Sequence, residues 1–517
     1  MAINQTQFNR LFKELMKIDL FGEAPPNIPY EFPPTATGVL GAIESGKASL
    51  PDIYRNAYVA PLINNVASVL ETNDLGLIET LAGVVYEHAK QRGVTPQIHR
   101  FLATVSDLYR SFLSAKRRIN ANFPLAEQLP PLATFKHSGQ EGPFTIPVDD
   151  ISRLIGSDVG VVSLPATYRD HPFLWTSLMH ETGGHDVLHA DPELLPELDA
   201  GVRAFFGGGP IGPGGTLNQQ QFLGFLWSYW IDEAASDIFG VLNVGPAFGY
   251  NLAVFFGALN AQVKKPKGQK PTLRTVSGSD MQGNLDPHPT DLLRIHLIIG
   301  AVESLKGLSQ QRRDAYTTDL LKLAQLCAPG AKKIELQGNI LGGPGVRIPV
   351  NATGQNALPL SVMQNSARRV GSFIATATLT SLGKHSIQDL ETWDDSDEET
   401  ALRISEAIKN GHSITNLGDD AQLLAGATLA LYNNASLYPT ATQLLNDALD
   451  FSYSQDPIFG QTQTDHAYLP TNFVNMDMGG GWHYSMVKST EEEADEDGAA
   501  APSRRRRAAS RKKATRV

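Results

Sequence analysis

The chain has one cysteine, Cys327, among 517 residues. That excludes an intrachain disulfide and a zinc knuckle built from thiolates, so any metal held here needs histidine and carboxylate ligands. Long apolar runs are missing too. The richest stretches, LAVFFGALNAQV and IHLIIGAVESL, break off well short of the roughly 18 residues of a membrane span, so no membrane partner is expected. The N-terminal MAINQTQFNRLFKELMKIDLF lacks the cationic head, apolar core and small-residue cleavage site of a secretory leader, and the expected location is the cytoplasm. Charge is scarce at 19%, against 42% hydrophobic residues. That balance supplies a core and excludes a mostly disordered chain.

What charge there is has an uneven distribution. The total of 43 Lys+Arg against 54 Asp+Glu gives -11, yet Gly498 to Val517 holds eight basic groups and no acidic one. Just before it, Glu491 to Asp497 holds six acidic groups and no basic one. The rest of the chain is therefore acidic and a poor surface for nucleic acid, which leaves the tail as the one segment suited to a polyanion. With only alanines and one valine as apolar residues, that tail is expected to stay disordered.

The length allows about three domains at roughly 150 residues each. Residues 1–145 space their apolar positions at three and four, as in Phe8, Leu11, Phe12 and Leu15, and predict a helical N-terminal region. Pro25 to Pro34 reads as an extended surface segment within it. Residues 146–330 form the expected core, entered through two strand candidates, FTIPV and GVVSL. FLWTSLMHETGGH follows as an apolar helix ending near two glycines, and after the glycine-rich 207–215 loop QQQFLGFLWSYWIDEAASDIFGVL reads as a second, stopped by Gly245-Pro246. TDLLRIHLIIGAVESL reads as a third. Residues 331–360 are a linker with one strand-like run, KKIELQGNI. Residues 361–487 form a helical C-terminal subdomain and 488–517 the charged tail. The fold class expected is α+β, mainly α-helical.

Three of the thirteen histidines fall within ten residues: His180, His185 and His189, in HETGGHDVLH. In the HExxH arrangement two histidines one turn apart share a zinc, and the glutamate between them lies near its water. Here the first spacing is one residue longer. At about 100° per residue a regular helix would hold His180 and His185 roughly 140° apart, so a bulge of the π type must absorb the extra residue. Gly183 and Gly184 are the residues that tolerate it. The competing pair, His185 and His189, would meet without a bulge. It would put the shorter Asp186 in the place of the glutamate and leave the glycines without purpose.

A third ligand has a candidate in WIDEAASD. Glu233 and Asp237 are four apart and share a helix face, so that Glu233 reaches a metal while Asp237 accepts the other ring N–H of a ligand histidine. His288, in Asp286-Pro287-His288-Pro289 with Arg294 downstream, is a candidate for stabilising an oxyanion, or merely the start of a helix with proline in its first turn.

HETGGH resembles the lengthened HExxGH motif of the dipeptidyl peptidase III family within the gluzincin metallopeptidases. DEAASD is similar to that family's EExxA-acidic motif, departing from it at Asp232 and Ser236. The resemblance covers about residues 160 to 300. It implies a zincin-like core, zinc held by His180, His185 and Glu233, Glu181 as general base and a peptide or protein substrate. It also implies that GVVSLP, residues 160–165, is the strand on which substrate lies. The expected function is therefore that of a zinc metallopeptidase, a hydrolase with Glu181 and His288 as catalytic residues and Asp237 behind the ligands. Two rivals stand beside it: a non-catalytic helical adaptor with a structural metal site and a basic tail, and a metal-dependent hydrolase of something other than peptides.

Overall fold

Glycine and proline set the punctuation of this chain, and apolar spacing fills the intervals with helix. The computed structural model describes residues 3–21, 35–90, 97–113, 129–136, 142–208, 217–263, 270–341, 347–351, 356–456 and 458–459. The Pro25 to Pro34 segment, most of the 207–215 loop and the charged tail lie outside them. The described chain is mainly helical with small sheets, as the sequence predicts, and no helix in it is long and apolar enough to cross a membrane. It divides into two units.

The histidine-bearing unit comprises the described residues of Ile18–Ala190, Arg403–Ala427 and Pro439–Val517. Its sheet has the order β1-β3-β2, from Leu132–Lys136, Phe144–Ile146 and Val161–Pro165. Strand β3 is buried along its whole length, runs parallel to β1 and antiparallel to β2, and so occupies the centre. Helix Gln97–Leu113 presents Phe101 to Phe135 of β1, with ring centroids 5.0 Å apart, and to Trp175 at 5.7 Å. That aromatic cluster fixes the sheet against the segment leading to the histidines. The helix is held at its other side by Arg100, whose guanidinium donates to both oxygens of Asp450 at 2.6 and 2.7 Å.

The glutamate-bearing unit comprises Met1–Lys17, Asp191–Leu402 and Thr428–Tyr438. Its first helix, Gln5–Leu15, buries the Phe8, Leu11, Phe12 and Leu15 stripe, and the Asn4 side chain caps it by accepting from Thr6 and Gln7 N–H. Helices Asp291–Ser304 and Leu360–Thr376 cross with their backbones nearly touching. A methyl group added at Gly300 would lie 2.0 Å from the Arg368 carbonyl oxygen, and one at Gly371 2.0 Å from that of Leu297. Only glycine fits at this crossing.

The long helix expected over 219–242 is two helices, Gln219–Tyr229 and Ile231–Val244. The break falls at Trp230, whose indole N–H donates to the Asp286 carbonyl at 2.9 Å, while that of Trp227 donates to Ser366 Oγ at 3.0 Å. Both rings are fully buried, and satisfying two indole donors in one core outweighs continuity of the helix. The KKIELQGNI run splits at Gly338, which has φ +111. It forms β5 (Lys333–Leu336) and β6 (Asn339–Leu341). β5 lies between β4 (Val276–Ser277) and β8 (Ala357–Pro359), and β6 pairs with β7 (Arg347–Pro349). These ribbons pin the loop carrying Asp286 and His288 through Leu285 N–H to Asn339 O at 2.8 Å and Asp286 N–H to Gly278 O at 3.0 Å.

Candidate functional site

The segment from Pro172 to Ala190 changes helical type three times. Pro172 opens a 3₁₀ stretch to Ser177, a single α-turn covers Leu178–His180, a π-turn covers Glu181–Asp186, and α-helix resumes over Val187–Ala190. The helix thus passes through Gly183 and Gly184 rather than ending at them. Neither glycine takes a positive φ, so what they contribute to this buried turn is backbone freedom and the lack of a side chain.

The π-turn brings His180 and His185 together. Their Nε2 atoms are 3.2 Å apart, and the two rings stand edge to face at 88°. Two nitrogens that close share either one proton or one cation. Zn–N bonds of about 2.0–2.1 Å in tetrahedral geometry would separate the nitrogens by roughly 3.3 Å, so the pair fits zinc. Glu181, directly after His180, is buried. Asp186, directly after His185, is also buried, and its pKa is pushed up to about 7 by that burial, against a hydrogen bond donated by Thr145 of β2.

His189 lies one α-turn beyond His185, with a ring nitrogen within 4.8 Å of one on His185. Its Nδ1 is 3.0 Å from Asp149 Oδ1, at the start of helix Val148–Ile155. Thus His185 has a histidine neighbour on each side, and the one across the π-turn has its Nε2 at 3.2 Å, the separation of two zinc ligands.

The position of β3 bears on substrate. Over Val161–Ser163 both of its edges are paired, by β1 and β2, so a peptide cannot add to that stretch as a further strand. Among the described residues the short strand β2, whose Thr145 touches Asp186, is the edge beside the histidine turn.

In the glutamate-bearing unit, helix Ile231–Val244 carries Asp232, Glu233 and Asp237. Glu233 Oε1 lies 3.1 Å from His288 Nε2, and His288 Nδ1 lies 2.8 Å from Asp286 Oδ1, which also accepts the His288 backbone N–H at 3.0 Å. The Glu233 carboxylate raises the imidazole pKa to about 10, although 46% of the His288 side chain is open to water that screens the pair. Asp237 is fully buried, and both of its oxygens accept from Arg294, each at 2.7 Å. Arg294 in turn sits over the Phe256 ring at 4.8 Å. His288 is not part of a helix start, because the helix begins at Asp291 after Thr290.

The structure therefore joins His180 to His185 in one unit, and Glu233 to His288 and Asp237 to Arg294 in the other. His180, His185, His189, Asp232 and Glu233 are all residues of metal-ligand type. The sequence alone does not pair Arg294 with Asp237 or give Thr145 a place, and it offers Asp186 only as the acidic residue of the competing His185–His189 arrangement. Nothing short-range signals the first, since 57 residues separate the partners. No family model, curated protein or solved structure matches this chain.

Proposed function

We propose that the chain is a zinc-dependent metallopeptidase, with His180, His185 and Glu233 as the ligands and Glu181 as the general base. The observation that carries this reading is the 3.2 Å separation of two Nε2 atoms across a π-turn in an HExxGH sequence. Bound zinc supplies a Lewis acid and lowers the pKa of water to about 7. Every other part of the reaction belongs to the chain. Glu181, fixed in the turn beside His180, takes the proton of the attacking water and hands it to the leaving amine.

Glu233 is the carboxylate that completes a two-histidine, one-glutamate set. Both ring nitrogens of His288 are engaged, by Glu233 and Asp286. That geometry favours a role in orienting the Glu233 carboxylate over one in donating to substrate. Asp237 with Arg294 fastens the glutamate-bearing helix to the helix Asp291–Ser304. A peptide or protein substrate and a cytoplasmic setting belong to the same proposal.

Incubation of the purified chain with a mixed peptide library separates this reading from the adaptor. Cleavage is expected, with loss on chelation and recovery on adding zinc. A zinc-loaded chain that cleaves no peptide in the library would support the adaptor instead.

A further inference from the structure

The glutamate-bearing unit contains an open cavity of about 230 Å³. Its lining includes Phe206, Gln219, Gln220, Ser361, Asn365 and Arg369, with buried Ser366 also contributing, and no acidic residue. Arg369 is its only charged group. The guanidinium carbon lies 4.7 Å from the Phe205 ring centre and 5.1 Å from that of Phe206, so aromatic faces hold it in place. A guanidinium stacked on rings keeps its in-plane N–H donors for a ligand. Among the described residues it forms no ion pair with a carboxylate.

The polar lining matches that charge. Ser361, Asn365, Gln219 and Gln220 all carry groups able to donate, and Ser366 is already fixed, accepting from Trp227 and donating to the Met363 carbonyl at 2.8 Å. Gln219 and Gln220 open one helix and Ser361 stands in the first turn of another that has no acidic residue there, which adds to the positive potential.

We infer that this cavity binds a small oxyanion, a phosphate or phosphate monoester, with Arg369 as the principal contact. The volume admits such a group together with the water around it. A neutral apolar ligand would cover part of the half-buried arginine without pairing it, whereas an oxyanion accepts its N–H groups in charge-assisted bonds. The inference does not rest on the zinc reading.

Isothermal titration of the chelator-treated full chain with inorganic phosphate, at constant ionic strength, tests it. Saturable binding is expected, with Kd raised at least about tenfold in Arg369→Gln, as the loss of a charge-assisted pair implies. Ser361→Ala should weaken binding by less. His180→Ala should bind phosphate as the parent does, which distinguishes this cavity from the metal-ligand residues. No saturable binding by the parent, or equal affinity in a folded Arg369→Gln, would overturn the assignment.

Discussion

Glu181→Gln is expected to lose on the order of 10² to 10⁴ in peptide hydrolysis while keeping its zinc. The substitution preserves shape and removes only the capacity to accept a proton. Because Glu181 is buried in the turn that joins His180 and His185, glutamine there leaves both imidazoles where they are. Zinc content separates the two ways of losing activity. A variant that loses metal and activity together would make Glu181 a structural residue, and one that hydrolyses peptides at the parent rate would remove it from the mechanism.

Arg294→Met is expected to destabilise the glutamate-bearing unit by about 3–5 kcal/mol, because it leaves the Asp237 carboxylate buried and without its bidentate partner. Asp237 is fully buried and Arg294 only 5% exposed, so water cannot replace what is removed. The double variant Arg294→Met with Asp237→Leu should recover most of the loss, since a buried ion pair exchanged whole for apolar groups is often neutral. Urea unfolding of the parent, the single variant and the double variant measures this directly. A single variant as stable as the parent would show that the pair does not fasten the two helices.

Both expectations depend on features that differ in how far sequence disclosed them. The amphipathic helix at Gln5–Leu15 and the strands at 144–146 and 161–165 follow from local periodicity, which a linear reading captures. The π-turn was legible too, because a spacing of five between two histidines and a Gly-Gly pair between them leave a regular helix no way to bring the rings together. The break at Trp230 was not. It depends on an indole reaching a carbonyl 56 residues away, and nothing in the run FLWSYWIDEA marks one tryptophan as more constrained than its neighbours.

The same limit applies at the carboxylates. That Glu233 and Asp237 share a face follows from their spacing, but their partners, His288 and Arg294, come from a distant loop and helix. A central position for β3 was equally hidden, since strand order is a property of pairing and β1, at Leu132–Lys136, gives only a weak signal of its own. The short strands β7 and β8 in the 331–360 region escaped for another reason: strands of three residues are too brief for alternation to show.

Zinc content of three single variants is the most direct measurement of the central claim. His180 and His185 have Nε2 atoms 3.2 Å apart across the π-turn, whereas His189 is tied to Asp149 at 3.0 Å. Purified His180→Ala and His185→Ala are each predicted to lose most of the bound zinc, and His189→Ala to retain it. Zinc kept by His180→Ala and lost by His189→Ala would contradict the account and move the metal to the His185–His189 turn.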